Sequence, residues 1–219
     1  NIDVALETLA STGAEVVVGS PTQVLALARQ PGAQRPAVKC VLLTTDSVPE
    51  SLATAVEHAW GCTVFNHYGM TEMGLGGGVE CQARRGYHLR EADLLFEVVD
   101  PTTGRPLPEG ETGEVVFTTL TRRGMPLIRY RTGDLRRFIP GPCPCGTALR
   151  TLARIEGRIA NRVTLGRHDT LTLAELDEAL FAVPDVMDFR ATMTGETRDA
   201  LCVEASVIPG ARADAATAL

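Results

Sequence analysis

The feature that most constrains the fold is an alternation, over the first sixty-five residues, of helix-period segments with short apolar strands. Residues 3–9 carry helical spacing and stop at Gly13, residues 15–18 form a short apolar strand, and Ser20-Pro21 supplies an N-cap with proline at the first helical position of a segment running to about Arg29. A loop rich in Pro, Gly and Gln leads to a strand over 38–43. Ser47 reads as the cap of a helix over 49–60, and residues 62–65 form the next strand. Strands separated by helices predict βαβ units and hence a parallel sheet with helices packed on it. Ligands of such sheets sit at the carboxyl ends of the strands, where Thr44-Thr45-Asp46 and residues 66–72 fall.

The periodicity changes after Glu72. Residues 94–99, 113–120 and 127–130 read as strands separated by turn clusters such as Asp100-Pro101-Thr102-Thr103-Gly104, which predicts antiparallel β structure closing as a small barrel. From about Gly157 a further change gives a strand over 163–165, a helix over 172–181, and strands over 189–193 and 201–208. The expected class is α/β: a βαβ parallel-sheet subdomain (1–75) and an antiparallel β-barrel-like subdomain (76–156), then a small, incomplete α+β C-terminal domain (157–219).

Composition narrows the function. A chain of 219 residues with 44% hydrophobic and 22% charged content is long enough for a sizeable core in one or two domains. Its net charge of −6 and single lysine, Lys39, argue against nucleic-acid binding, which needs clustered cations. No apolar run approaches a membrane span, and the start at Asn1 has none of the character of a signal peptide. Of six cysteines, Cys40, Cys62 and Cys202 lie in apolar strand-like runs where a reduced, buried thiol is expected, so a reducing cytoplasm fits.

Two segments carry chemistry: Asn66-His67-Tyr68-Gly69-Met70-Thr71-Glu72, and farther along Tyr130-Arg131-Thr132-Gly133-Asp134. A tyrosine offers a flat face to a purine, a glycine lets the backbone approach a nucleotide, and a threonine hydroxyl can donate to a phosphate oxygen. Glu72 is a hard oxygen ligand suited to Mg²⁺ on those phosphates. Asp134 follows a glycine that permits a tight turn and can accept from two neighbouring ribose hydroxyls. His58 and His168 attract no role, and no Ser-His-Asp arrangement supports a hydrolase.

These two segments, in this order and with Gly113-Glu114-Val115-Val116 between them, resemble the adenylate-forming superfamily. Within it, residues 94–134 and Cys143-Pro144-Cys145-Gly146 are similar to phenylacetate-CoA ligase-like enzymes over essentially the whole chain. The resemblance implies a ligase that activates a carboxylic acid with MgATP, releases pyrophosphate and passes the acyl group to coenzyme A. It implies that Tyr68 stacks on adenine, that Asn66 and His67 edge it beside Gly69, and that Thr71 and Glu72 meet the phosphates and Mg²⁺. Asp134 would bind ribose with Arg158 assisting, Asp46 would lie beside the adenine, and Gly74, Gly76, Gly77 and Gly78 would border the acyl pocket. An aryl acid is the expected substrate. A carrier-protein pantetheine is the alternative acceptor, a non-catalytic nucleotide- or acyl-binding module the alternative function, and a homodimer a possible assembly.

The sequence departs from the family in three places. The Ser/Thr/Gly-rich phosphate loop and the lysine near the end of the C-terminal domain are absent, so a fragment inactive in isolation is expected. At the hinge, Ala160 stands where the family carries Asp, a change expected to alter the domain rotation.

A metal centre is also expected. Cys81 and His88, seven residues apart, with Cys143 and Cys145 after the barrel strands, offer three thiolates and an imidazole, enough for a closed structural Zn²⁺ site. Free thiols, or a redox-active Cys143/Cys145 pair, would use the same residues.

Overall fold

The computed structural model describes residues 2–32, 35–154, 158, 162–165, 169–194 and 200–208. Gly157, Ala160 and His168 lie outside them. By packing, the described chain falls into two compact units: residues 1–64 with 163–219, and residues 65–162.

In the first unit α1 (Ile2–Thr12) precedes β1 (Val16–Gly19), α2 (Pro21–Ala28), β2 (Cys40–Leu43) and α3 (Glu50–Trp60). β1 and β2 pair in parallel, Val16 opposite Cys40, as the βαβ alternation predicts. Pro21 occupies the first turn of α2, although Ser20 makes no side-chain cap bond. Leu25, Val41, Leu43, Leu52 and Val56 are fully buried in one core with Trp60, each large side chain contributing on the order of 2 kcal/mol. β3 (Thr63–Tyr68) starts in this unit, where Thr63 N–H donates to the Lys39 carbonyl, and runs on into the second.

The second unit continues with the 3₁₀ turn η1 (Thr71–Met73), β4 (Gly78–Glu80), β5 (Tyr87–Leu89), β6 (Leu94–Val99), β7 (Gly113–Thr119), β8 (Tyr130–Arg136), β9 (Phe138–Ile139) and β10 (Thr151–Leu152). β3, β4, β5, β10 and β9 pair antiparallel in that order, and β6, β7 and β8 form a separate three-stranded antiparallel sheet. Among the described residues these barrel-like antiparallel sheets stay open. Both faces of the intervening space are filled by Met73, Leu89, Phe96, Phe117 and Leu152, so the core lies between the sheets.

β11 (Arg162–Leu165) pairs with β12 (Asp169–Thr172), and α4 (Leu173–Phe181) follows under a capping box between Thr172 and Glu175. β13 (Val186–Thr194) and β14 (Ala200–Val207) form an antiparallel hairpin. Phe181 and Val186 join the core of the first unit.

Two elements differ from expectation. Ser47 does not cap α3, which begins at the N-cap Pro49 two residues later. The Glu178 carboxylate, from α4, accepts instead from Glu50 N–H (2.8 Å) and Ser51 N–H (2.9 Å). A carboxylate there satisfies two orphan donors and complements the positive end of the helix. The strand expected over 127–130 is displaced: β8 starts at Tyr130, so Thr132-Gly133-Asp134 lies inside a strand where a turn was expected.

Candidate functional site

The interruption that shapes the site is in β8. Leu135 pairs with Glu114 and Arg131 with Val116, so Val115 alone stands opposite Thr132, Gly133 and Asp134. A bulge of this kind re-aims the side chains it carries. Gly133 takes φ +75, a left-handed conformation that favours glycine. Side chains satisfy the interrupted ladder: Thr132 Oγ1 donates to the Val115 carbonyl (2.8 Å) and accepts from Asp134 N–H (3.0 Å), while Gly133 N–H donates to Glu114 Oε1 (3.1 Å). The same buried Glu114 accepts from Arg131 Nε at 2.7 Å.

The bulge delivers Asp134 to Tyr68 at the end of β3. Tyr68 Oη donates to Asp134 Oδ2 (2.9 Å) and Arg158 Nε to Oδ1 (3.1 Å). The Asp134 side chain is 4% exposed, whereas that of Arg158, which covers it, is 60% exposed. Burial, then the neighbouring Asp134 carboxylate, holds the Tyr68 proton far above the ordinary phenol range, so Tyr68 stays a donor at every physiological pH. Its ring centroid lies 5.5 Å from that of Tyr87. Each Asp134 oxygen thus accepts one of these hydrogen bonds.

Beyond Tyr68 the chain turns through η1. Tyr130 Oη donates to Glu72 Oε1 (3.2 Å), and that bond raises the Tyr130 phenol above its usual range. Thr71 opens the turn. Arg90 Nη2 donates to the Met73 carbonyl (3.0 Å) and braces η1. The glycines that follow are closely packed. Gly74 and Gly76 take φ +76 and +95, and a Cβ at Gly76 would lie 2.0 Å from His67 Nε2. A Cβ at Gly77 would meet Met73 Sδ at 2.5 Å, so glycine is required where His67 and Met73 seat.

Asn66 is buried; its N–H donates to Glu80 Oε2 (3.0 Å), and Glu80 also pairs with Arg154. Asp46 belongs to the first unit: exposed in the loop after β2, it accepts from Ser47 N–H (2.8 Å) and lies near Asp177 of α4.

Cys81, His88, Cys143 and Cys145 converge, as their spacing predicts, with all four ligand atoms within 4.8 Å of one another. Cys81 directly follows β4, β5 presents His88, and the β9–β10 connection presents the other two. Cys81 Sγ lies 3.7 Å from Cys143 Sγ, and Cys145 Sγ lies 3.3 Å from His88 Nε2. Tetrahedral zinc with bonds of about 2.3 Å to sulfur separates its thiolates by ~3.8 Å, so the set fits that ion. Thr151 Oγ1 lies 3.4 Å from His88 Nδ1, where it can fix the ring's orientation. The backbone N–H of Cys145 pulls the Cys143 thiol below its usual range, which favours a thiolate; burial pushes Cys81 the other way. The cysteines are free of disulfides.

Sequence reasoning missed Glu114, Thr132, Tyr130 and Glu80 as supports of the site. The one available signal was a glutamate opening an otherwise apolar strand, Gly113-Glu114-Val115-Val116.

An α/β unit followed by open antiparallel sheets, with a strand-end Tyr and a bulged Asp held together, defines an adenylate-forming fold. The profile of the family described as AMP-binding enzyme matches residues 2–120, and the chain belongs to that family. It is 40% identical over 141 residues to a phenylacetate-coenzyme A ligase of Thermus thermophilus, a match covering 63% of this chain and 31% of that enzyme. It is 42% identical over 111 residues to a phenylacetate-coenzyme A ligase of Aromatoleum evansii, covering 50% and 24%. The structure of 2-hydroxyisobutyryl-CoA ligase in its postadenylation state with R3-HIB-AMP superposes with a TM-score of 0.85 at 25% identity, over 99% of this chain and 48% of that one. The chain therefore spans about half the length of that solved ligase and its match about a third of the Thermus enzyme.

Proposed function

We propose that this chain carries the nucleotide-binding part of an ATP-dependent acid–thiol ligase, which joins a carboxylic acid to the α-phosphate of ATP and then transfers the acyl group to coenzyme A. The observation that carries the reading is the buried Asp134 held between Tyr68 and Arg158. The two donors fix the carboxylate plane, and the remaining lone pairs accept from the vicinal ribose hydroxyls. Adenine lies against Tyr68, edged by the strand residues Asn66 and His67 and by Gly69. Thr71 donates to phosphate oxygens. Glu72, one oxygen occupied by Tyr130, has the other for a cation, which suits Mg²⁺, an ion that takes one or two carboxylates and completes its shell with phosphates and water. Mg²⁺ there would neutralise charge on the phosphates. The protein's own work is positioning and charge compensation for in-line attack by the substrate carboxylate.

Gly74, Gly76 and Gly77 border the acyl pocket. An aryl acid is the proposed substrate, by analogy with the phenylacetate-coenzyme A ligases. The Cys81, His88, Cys143 and Cys145 set holds a structural zinc ion and leaves no position for water. The protein works in a reducing cytoplasm. Pyrophosphate exchange by the full-length protein, with a panel of aryl and aliphatic acids, tests the function. Exchange dependent on one acid supports it, and thioester formation on adding coenzyme A identifies the acceptor. Tight binding of an acyl-adenylate analogue with no exchange for any acid would make the protein a binding module instead.

A further inference from the structure

Arg122 is half-buried and, among the described residues, has neither a carboxylate nor a carbonyl partner. Its half-buried counterparts in the same unit are paired: Arg90 with Asp93, Arg150 with Glu91, Arg154 with Glu80. A half-buried guanidinium without a protein acceptor keeps its N–H donors available to an anion that arrives from outside.

Its place points to which anion. Arg122 belongs to the β7–β8 connection, which is pinned at both sides of it: Leu120 N–H donates to the Asp93 carbonyl (2.8 Å), and Thr119 and Leu127 exchange bonds of 2.9 Å through Thr119 N–H and Thr119 Oγ1. The loop delivers the guanidinium onto Gly74, the residue that ends η1. A Cβ at Gly74 would lie 2.8 Å from Arg122 Nη2. The cation therefore stands at the tip of the turn that carries Thr71 and Glu72. Glu72 does not claim it, being held by Tyr130.

We propose that Arg122 is a phosphate-binding residue, its guanidinium taking phosphoryl oxygens of the polyphosphate beyond those that Thr71 meets. The assignment rests on the nucleotide site proposed above. It adds a cation supplied by the β7–β8 loop, and it predicts discrimination between nucleotides that differ only in their outer phosphates. A planar guanidinium with parallel N–H donors suits phosphate oxygens better than a point charge does.

The test is titration calorimetry of the full-length protein with ATP and with AMP, for the wild type, Arg122→Gln and Arg122→Lys. Loss of one charge-assisted contact is expected to raise the Kd for ATP about tenfold or more in Arg122→Gln and to leave that for AMP within about twofold. Arg122→Lys is expected to fall between, because it keeps the charge and loses the fork. An ATP affinity in Arg122→Gln that matches wild type overturns the assignment while the nucleotide site stands. Should Arg122→Gln not fold, Arg122→Lys decides alone, and an unchanged ATP affinity there overturns it. A wild-type protein that binds neither nucleotide overturns this assignment and the proposed function together.

Discussion

At the scale of single residues, the proposed site rests on Asp134, buried and doubly bonded, and on Glu72 in the turn after β3. Replacing Asp134 by Asn keeps the shape and removes the charge that Arg158 faces. The affinity for an acyl-adenylate analogue is expected to fall by about tenfold or more, since hydrogen bonds to charged groups contribute roughly 1.5–3 kcal/mol. Glu72→Gln should leave the melting temperature near wild type, because the amide can still accept from Tyr130, while pyrophosphate exchange falls strongly. Unchanged exchange would remove Glu72 from the chemistry. These candidates were legible in the sequence because a nucleotide calls for particular residue types: an acid for hydroxyls, a hydroxyl for phosphate. The partners that hold them were not. Nothing in the local sequence shows that Thr132 Oγ1 substitutes for a ladder bond, or that Glu114 is turned toward Gly133.

At the scale of elements, the bulge in β8 positions Asp134, and Gly133 permits the bulge. No atom lies within 4 Å of a Cβ at Gly133, so Gly133→Ala is a test of backbone conformation alone. It should cost on the order of 1 kcal/mol in stability by the left-handed penalty, read as a lowered melting temperature, and weaken nucleotide binding by moving Asp134. A variant of wild-type stability and affinity would show that the bulge does not need that conformation. The displacement of β8 from its expected register has the same origin. Periodicity predicts where a strand alternates, and three residues opposite one partner break the alternation. α3 teaches a related lesson: its cap comes from Glu178, more than a hundred residues away, and no local window contains it.

The contact of α4 with the loop before α3 also sets a pH dependence. The Asp177 carboxyl is pushed up to about 7, first by burial and then by Asp46, Glu178 and Asp188. An unfolded aspartate titrates near 3.9, so between about 4 and about 7 the folded state holds a proton that the unfolded state has released. Stability contributed by that proton is present at low pH and is lost as pH rises toward 7. Asp177→Asn should therefore raise the melting temperature at pH 8 and leave it near wild type at pH 4. An equal change at both pH values would contradict this reading.

At the scale of the whole molecule, the described chain packs as two units, and Phe181 and Val186 belong to the core of the first. The metal cluster ties β4, β5 and the β9–β10 connection. Purified without chelator, the protein is expected to carry about one zinc per chain. Cys81→Ser should lower that content and the melting temperature together, and a zinc-free protein of wild-type stability would refute the structural role. The cluster was legible because its four residue types are rare and unambiguous. The open sheets were not, since strand pattern alone does not say whether an antiparallel sheet closes.

The proposed nucleotide site requires that the Tyr68–Asp134–Arg158 constellation hold a ribose. Calorimetric titration of the full-length protein with AMP and with 2′,3′-dideoxy-AMP measures this directly. The account predicts that AMP binds, that removing the two hydroxyls weakens binding by about tenfold or more, and that Asp134→Asn erases the difference between the two ligands. Equal affinities for both nucleotides in the wild type would contradict it.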